Sequence, residues 1–153
     1  MKKRFLLAGL ALALGTGYTL TAFSQVKPEV LVKQRQAAMT LQGKYFGPLA
    51  GMAQGKVPYD AGVVAYNASL LDALSRMPWD GFAESTKGEK ATRALPAVYA
   101  DPAKFKQAQD QLHTAVGALG AAAKGGNEAA VKAAVGDVNK ACGNCHDNFR
   151  EKQ

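Results

Sequence analysis

The residues with the clearest chemical potential lie near the end of the chain, in the stretch ACGNCHDNFR from Ala141 to Arg150. This stretch holds the only two cysteines, Cys142 and Cys145, and His146 follows directly. Cys-x-x-Cys-His is the attachment signature of c-type haem. Two thiols about one helical turn apart can add to the two vinyl groups of the porphyrin, and neutral imidazole is a good axial ligand for the iron. The motif therefore predicts haem c, with Cys142 and Cys145 as thioether bonds and His146 as the proximal metal ligand.

Other chemistries are open to these cysteines, but each leaves part of the motif without a role. A structural zinc site needs four ligands, and the one further histidine, His113, stands at a spacing that matches no common zinc pattern. A thioredoxin-like redox pair follows a strand of a βαβ unit, which the surrounding sequence does not predict. A disulfide between Cys142 and Cys145 suits an oxidising compartment but leaves His146 unexplained. Haem attachment is the favoured interpretation, and His113 is interpreted as a surface helix residue.

The chain begins with the pattern of a secretory signal peptide. A basic start, MKKR, precedes an apolar run from Phe5 to Leu14, and small and polar residues continue to Ser24. Spanning a membrane needs roughly 20 apolar residues, about twice the length of this run. We expect cleavage after Ser24, so that residues 1–24 are the signal peptide and residues 25–153 form the mature protein in the bacterial periplasm, without a membrane anchor.

The charge balance of the mature chain is modest. Without the three basic residues of the leader, 16 basic and 12 acidic residues give a net charge of +4. No run of Lys and Arg is interleaved with stacking aromatics, so nucleic acid is not an expected partner. No catalytic triad, suitably spaced carboxylate pair or phosphate-binding loop is recognisable, and an enzyme is not predicted. A single domain over residues 25–153 is the economical interpretation.

The first half of the mature chain predicts two helices. Pro28 suits the first turn of the first helix, which we expect to be kinked or interrupted at Gly47-Pro48. Asp60 is the expected N-cap of the second helix, and Pro78 ends it. The apolar period of the second helix predicts the following core-facing residues: Val63, Leu70, Leu71, Leu74 and Met77. The long irregular stretch after Pro78 reads as a covering loop with one short turn near LPAVYA, and Trp79 and Phe82 stand at its start.

The second half predicts two more helices, and the last of them carries the cysteines. Asp101-Pro102 opens the third helix, Gly125-Gly126 ends it, and Asn127 is the expected cap of the fourth. The core-facing residues predicted for the third helix are Phe105, Leu112, Val116, Leu119 and Ala123. Those predicted for the fourth are Val131, Val135, Val138, Cys142, Cys145 and Phe149. The pattern predicts an all-α, antiparallel up-down four-helix bundle with the sulfurs and the imidazole directed to its interior or its edge.

The mature chain as a whole resembles the cytochrome c' family, the class II cytochromes c. The resemblance is carried by KPE near the start, VKQRQAAM in the first helix, PYD before the second, PWDGF after it, and CGNCHDNFR at the end. Cytochrome c' is among the four-helix bundles that bind a cofactor in the bundle core. The resemblance implies a homodimer that pairs the first two helices of each subunit, with one covalent haem c inside each bundle.

The resemblance also implies which residues surround the haem. His146 is the fifth ligand, and Met39 matches the residue on the first helix that crowds the sixth position. Arg35 and Gln36 match positions at the haem propionate edge, where the forked guanidinium of an arginine suits a carboxylate. The matches of Arg35, Gln36, Trp79 and Phe82 favour five-coordinate iron. Two further basic residues match family positions near the haem: Arg93 in the covering loop and Arg150 beside the proximal imidazole.

The expected function is a periplasmic haem protein with five-coordinate, high-spin iron that binds nitric oxide and carbon monoxide, exchanges electrons with an unidentified redox partner, or does both. Low-spin relatives use a methionine at the position of Met39 as the sixth ligand. A six-coordinate electron carrier with both His146 and Met39 bound is therefore an alternative. A haem-free helical binding or structural protein is a third, and it gives Cys142, Cys145 and His146 no joint role.

Overall fold

The computed structural model describes residues 26–152. The predicted signal peptide and its cleavage site lie outside these residues. Four long helices and one short one account for most of the described chain, with two 3₁₀ segments in the loop after the second helix. The helices are α1 (Pro28–Ala53), α2 (Ala61–Leu74), α3 (Ala97–Ala100), α4 (Pro102–Gly125) and α5 (Glu128–Phe149), and the 3₁₀ segments are Trp79–Phe82 and Glu84–Thr86.

The four long helices form the predicted all-α bundle. Helix α1 packs against α2 and α5, and α4 packs against the same two helices, so the four close into a ring around one core. The short connection at Gly126 and Asn127 makes α4 and α5 antiparallel neighbours. None of the described helices combines the length and the apolar character that a membrane span requires.

Side-chain caps start three of the long helices where the sequence predicts them. A side-chain oxygen of Asp60, Asp101 and Asn127 each accepts a hydrogen bond from the backbone N–H three residues later, at 2.9, 3.0 and 2.9 Å. Each cap satisfies one of the amides that a helix N-terminus leaves without an intrahelical partner. At the end of α4, Gly126 adopts a left-handed φ of 68°, which a glycine tolerates without steric cost.

Helix α1 is not interrupted at Pro48, which corrects one of the two outcomes expected there. The helix continues to Ala53 with Pro48 inside it, on the exposed side. The residues that follow on the inner side are deeply buried, with Leu49 and Met52 exposed by 1% and 7%. Burial of this last stretch against the core outweighs the single backbone hydrogen bond that a proline removes.

The core-facing side of α2 agrees with the prediction at Leu71 and Leu74 and differs from it at Val63 and Met77. The structure buries Val64, Asn67, Ala68, Leu71 and Leu74, whereas Val63 and Met77 are 37% and 60% exposed. Helix α2 carries two apolar stripes about 100° apart, and periodicity alone does not say which of them faces the core. Asn67 can occupy the inner stripe because its amide nitrogen donates to the backbone oxygen of Tyr45 at 3.0 Å.

Two hydrophobic clusters fill the interior. The larger one joins α1, α2, α4 and α5, and the smaller one consists of Val98, Phe105, Ala108 and Phe149. Trp79, at the start of the loop, packs against both clusters. The loop is thereby anchored between the bundle core and the end of α5 that carries the Cys-x-x-Cys-His motif.

A valine-to-alanine substitution should affect the free energy of unfolding differently at Val64, on the inner stripe of α2, and at Val63, on the outer stripe. Val64→Ala should lower the free energy of unfolding by about 2 kcal/mol, because it deletes two methyl groups that are 1% exposed. Val63→Ala should change it by less than about 0.5 kcal/mol. Urea unfolding, at protein concentrations where the midpoint no longer depends on concentration, measures both. Equal losses would contradict the observed orientation of α2.

Candidate cofactor site

A cavity of about 660 Å³ lies between α1, the covering loop, α4 and α5. Its volume is in the range of small-molecule and cofactor sites. All six residues predicted from the sequence line this cavity: Arg35, Gln36 and Met39 from α1, and Cys142, Cys145 and His146 from α5. A second, more open groove between α4 and α5 contains no cysteine or histidine. The structure therefore brings the predicted residues together at one place.

The two cysteines are free thiols on successive turns of α5. Cys142 packs against the larger hydrophobic cluster and Cys145 against the smaller one. Burial raises the pKa of Cys142, and burial together with the neighbouring Cys142 raises the pKa of Cys145 to about 11. Both surroundings therefore disfavour the thiolate form of the cysteine side chain. Among the described residues, no three side chains of His, Cys, Asp or Glu converge as a metal-ion site, which gives the zinc alternative no support.

His146 lies half-buried between the two cysteines and the C-terminal residues. Burial lowers the pKa of its imidazole, and the positive charge of Arg150 lowers it further. Asp147 acts in the opposite direction, and Arg93 adds a smaller lowering effect. The net direction favours the neutral imidazole, which is the form that can bind a metal ion.

Arg35 is a buried cation that faces the cavity. Its side chain is 5% exposed, and burial lowers the pKa of the guanidinium, with a partial opposing effect from Tyr99. The guanidinium donates to the backbone oxygen of Gly81 and to Oγ1 of Thr92, and its central carbon lies 4.3 Å from the ring centre of Phe82. These partners are neutral, so they orient the charge without balancing it.

No carboxylate of the described residues pairs with Arg35. The five ion pairs found between residues 26 and 152 all join surface side chains, and no acidic residue lines the cavity. A buried cation is costly unless an opposite charge approaches it. Haem presents an apolar ring with two carboxylate side chains at one edge, and an Arg–carboxylate contact is a strong, oriented one. The residues present therefore fit this cofactor.

Gln36 and the covering loop hold each other at the rim of the cavity. The Gln36 side chain is exposed, and its amide nitrogen donates to the backbone oxygen of Ala91 at 2.5 Å. Thr92, the next residue, accepts from Arg35 as described above. Two consecutive residues of α1 thus bind two consecutive residues of the loop. These hydrogen bonds hold α1 and the loop together at one edge of the cavity.

Met39 reaches the cavity one helical turn after Arg35 and is half-buried. The polar residue that follows it on the same side of α1, Gln42, uses its amide nitrogen to donate to the backbone oxygen of Leu74 at 3.1 Å. Phe46, Leu71 and Val116 line the same cavity with apolar side chains. Met39 therefore adds a flexible apolar side chain to the cavity wall.

The covering loop pairs with the C-terminal residues directly after the motif. Ala94 and Arg150 form an isolated antiparallel bridge, with backbone hydrogen bonds from Leu95 to Phe149 and from Glu151 to Arg93, both at 2.9 Å. The Arg93 guanidinium adds a hydrogen bond to the Glu151 backbone oxygen at 2.6 Å. Arg93 and Arg150 both line the cavity as a result. The sequence offered no signal for this pairing, because it uses backbone groups of residues far apart in the chain.

The structure places Trp79 and Phe82, at the start of the covering loop, in the wall of the cavity. It corrects the interpretation of His113 as a surface residue. His113 is half-buried, and its Nε2 lies 3.0 Å from both Trp79 Nε1 and the backbone oxygen of Ser75. Sequence reasoning placed it beside Leu112 on α4 but had no means of locating the loop that covers it.

An all-α bundle that gathers a Cys-x-x-Cys-His motif and a buried arginine around one cavity defines a class, the helical c-type haem proteins. Residues 30–150 match the family model described as Cytochrome C'. The chain is 47% identical to cytochrome c' of Rubrivivax gelatinosus over 126 residues, which are 82% of this chain and 98% of that protein. It belongs to the cytochrome c' family, and membership implies haem c as the cofactor.

Solved structures agree with this assignment. The crystal structure of the Rubrivivax gelatinosus protein has a TM-score of 0.79 at 46% identity, over 82% of this chain and 98% of that one. A nitric oxide complex of a mutant cytochrome c prime from Alcaligenes xylosoxidans has a TM-score of 0.77 at 39% identity, over 83% and 98% of the two chains. A carbon monoxide-bound variant of the same Alcaligenes protein matches with the same TM-score, identity and coverage.

Gly81 tests how closely the loop must approach α1. A Cβ atom at this position would meet the Cβ of Arg35 and would lie 2.8 Å from the backbone oxygen of Leu31, so the loop would have to move away. Gly81→Ala should therefore cost about 1–3 kcal/mol of unfolding free energy. Gly117→Ala, where nothing lies within 4 Å, is the matched control and should stabilise the protein by up to about 1 kcal/mol. A neutral Gly81→Ala in thermal unfolding would refute the close approach.

Proposed function

We propose that this protein is a periplasmic c-type haem protein whose iron has His146 as its only protein ligand. It binds nitric oxide and carbon monoxide, and it exchanges electrons with a redox partner. The single observation that carries the proposal is that Cys142, Cys145 and His146 line the same cavity as Arg35, which is buried and has no carboxylate partner among residues 26–152. The solved complexes of relatives with nitric oxide and carbon monoxide support the gas-binding part.

Haem c supplies an iron that binds small neutral molecules and changes oxidation state. Cys142 and Cys145 would hold the cofactor through thioether bonds. A thioether sulfur does not ionise, so the raised pKa of the two thiols does not weaken this attachment. His146 presents a neutral imidazole to the iron, consistent with the lowered pKa of its ring. Arg35 would hold a haem propionate carboxylate, and Gln36 stands at the rim of the cavity, where its hydrogen bond to Ala91 keeps the loop in place.

Met39 would limit access to haem iron held by His146, because both side chains line the same cavity. Its half-buried side chain would occupy part of the cavity, which Phe46, Leu71 and Val116 also line with apolar groups. One of the two N–H groups of the Gln42 amide is used by the Leu74 backbone oxygen, and the rest of this wall is apolar. Such a site favours nitric oxide and carbon monoxide over oxygen, which needs a donor to stabilise its polar bound form.

A six-coordinate electron carrier is the second candidate, because the Met39 thioether lines the same cavity as His146. Thioether sulfur is an established axial ligand of c-type haem. A haem-free binding or structural protein is the third candidate, and it leaves Arg35 without a counter-charge.

The absorption spectrum of the purified protein, together with Met39→Ala, separates these candidates. We expect broad high-spin bands that shift with carbon monoxide, and a carbon monoxide association rate about tenfold higher in Met39→Ala, equivalent to about 1.4 kcal/mol of relieved crowding. Met77→Ala, at a 60% exposed methionine outside the cavity, should change neither property.

Sharp low-spin bands that become high-spin only in Met39→Ala would instead establish Met39 as a ligand. Colourless protein from a host competent in haem attachment would refute both haem proposals. We also propose that the signal peptide is cleaved after Ser24, so that the mature chain begins at Gln25. The mass of the protein isolated from the periplasm tests this cleavage.

We further propose that the protein is a homodimer that uses the outer faces of α1 and α2. These two helices pack side by side, and together they expose large apolar side chains on the surface. The residues concerned are Val30 and Leu41 on α1, Val63 and Tyr66 on α2, and Met77 just beyond it, exposed by 37, 40, 37, 61 and 60%. The outer stripe of α2, which the sequence placed in the core, thus acquires a role as an intersubunit surface.

Sedimentation of Tyr66→Glu tests the dimer. A carboxylate at this 61% exposed position should shift the protein to monomer, because an interface cannot bury an unpaired charge cheaply. Gln107→Glu, at an exposed position on α4, adds the same charge away from the proposed interface and should leave the dimer intact. A wild-type protein that sediments as a monomer would refute the proposal, as would an unchanged Tyr66→Glu dimer.

A further inference from the structure

His113 joins three elements of the fold at the back of the cavity wall. Its Nε2 on α4 lies 3.0 Å from the Trp79 indole nitrogen and 3.0 Å from the backbone oxygen of Ser75, the residue directly after α2. The indole N–H also donates to the Ser75 oxygen, at 2.8 Å. The imidazole and indole rings meet edge to face, with their centres 5.7 Å apart and their planes at 76°.

The contacts of Trp79 continue toward the cofactor site. Its indole lines the cavity and stacks on Phe82, with ring centres 6.0 Å apart and planes at 28°. The Phe82 ring in turn supports the guanidinium of Arg35 at 4.3 Å. A continuous series of contacts therefore leads from His113 through Trp79 and Phe82 to the buried cation.

We propose that His113 is a positioning residue of the haem site. It fixes the orientation of the Trp79 indole in the cavity wall and, through Phe82, the placement of the Arg35 guanidinium. The inference rests on the proposed haem function, because the wall and the guanidinium matter for function only when the cavity holds that cofactor. His113 itself does not line the cavity and touches no reacting atom.

Both neutral forms of the imidazole can hold the indole in place. If Nδ1 carries the proton, the free Nε2 lone pair accepts the indole N–H. If Nε2 carries it, His113 and Trp79 both donate to the Ser75 oxygen, which has two lone pairs. In either form His113 occupies the space beside the indole nitrogen with a matching polar atom. An apolar side chain at position 113 would leave the Ser75 oxygen as the only one of these groups that can bind the indole N–H.

The test compares His113→Leu with His113→Gln in the intact haem protein. Trp79 is the only tryptophan of the chain, so the indole bands in ultraviolet resonance Raman and the exchange rate of the indole N–H report on this site alone. In His113→Leu we expect indole N–H exchange to accelerate roughly five- to tenfold, because the indole nitrogen loses its polar neighbour and, when Nδ1 carries the proton, one hydrogen bond. We also expect a shift of the haem absorption bands.

His113→Gln should restore both signals, because its amide offers an acceptor and a donor at a similar reach. Gln109→Leu is the matched control. It removes a half-buried polar side chain one turn earlier on α4, and within residues 26–152 that side chain makes no hydrogen bond to Trp79. Circular dichroism confirms that each variant is folded, so that a change of signal is not a loss of structure.

Several outcomes would overturn the inference. Unchanged indole exchange in His113→Leu would show that His113 does not hold Trp79. A changed indole signal with an unchanged haem spectrum would show that the contact is structural only. Failure of His113→Gln to restore the signals would assign the effect to side-chain volume. A colourless protein would refute the proposed function instead, and the indole measurements would still test the contact between His113 and Trp79.

Discussion

The cofactor site depends on a buried arginine that has only neutral partners among the described residues. The Gly81 oxygen, the Thr92 hydroxyl and the Phe82 ring all hold the Arg35 guanidinium, and all three belong to the loop between α2 and α3. Arg35 therefore organises the loop, while the loop aims Arg35 at the cavity. Since a buried cation needs a counter-charge, this arrangement is complete only with an anion in the cavity. The same contacts explain why the loop must carry a glycine at position 81.

The bundle provides the second requirement, a rigid frame in which α5 presents its motif inward. Helix α5 is held along its length by α4 and α1, and its last residues pair with the loop at Ala94 and Leu95. Trp79 then connects the bundle core with the aromatic cluster around Phe105. Because the wall consists of interlocking rings, one polar contact at His113 can influence the orientation of several of them. Helices alone would leave this side of the cavity open.

The accuracy of the sequence-based predictions followed the range of the interactions concerned. The caps Asp60, Asp101 and Asn127 were predicted correctly because a cap involves residues only three apart. The inner stripes of α4 and α5 were also correct, since each of these helices has one apolar face. On α2 two stripes compete, and the choice between Val63 and Val64 depends on neighbouring helices. The His113–Trp79 contact and the bridge between Ala94 and Arg150 join distant residues, and no local pattern encodes them.

Under the proposed function, whether Met39 would bind the iron or only fill the space beside it would depend on the position of α1 as much as on the chemistry of methionine. Met39 lies one turn after Arg35 and Gln36, whose contacts with Gly81, Ala91 and Thr92 fix that part of the helix against the loop. The methionine side chain has three rotatable bonds. It can therefore fill space in the cavity or bring its sulfur to a haem iron, depending on how near α1 lies to that iron. A loop that holds α1 through Arg35 therefore also sets the reach of Met39. The placement of one helix therefore fixes both the buried cation and the position of Met39 in the cavity wall.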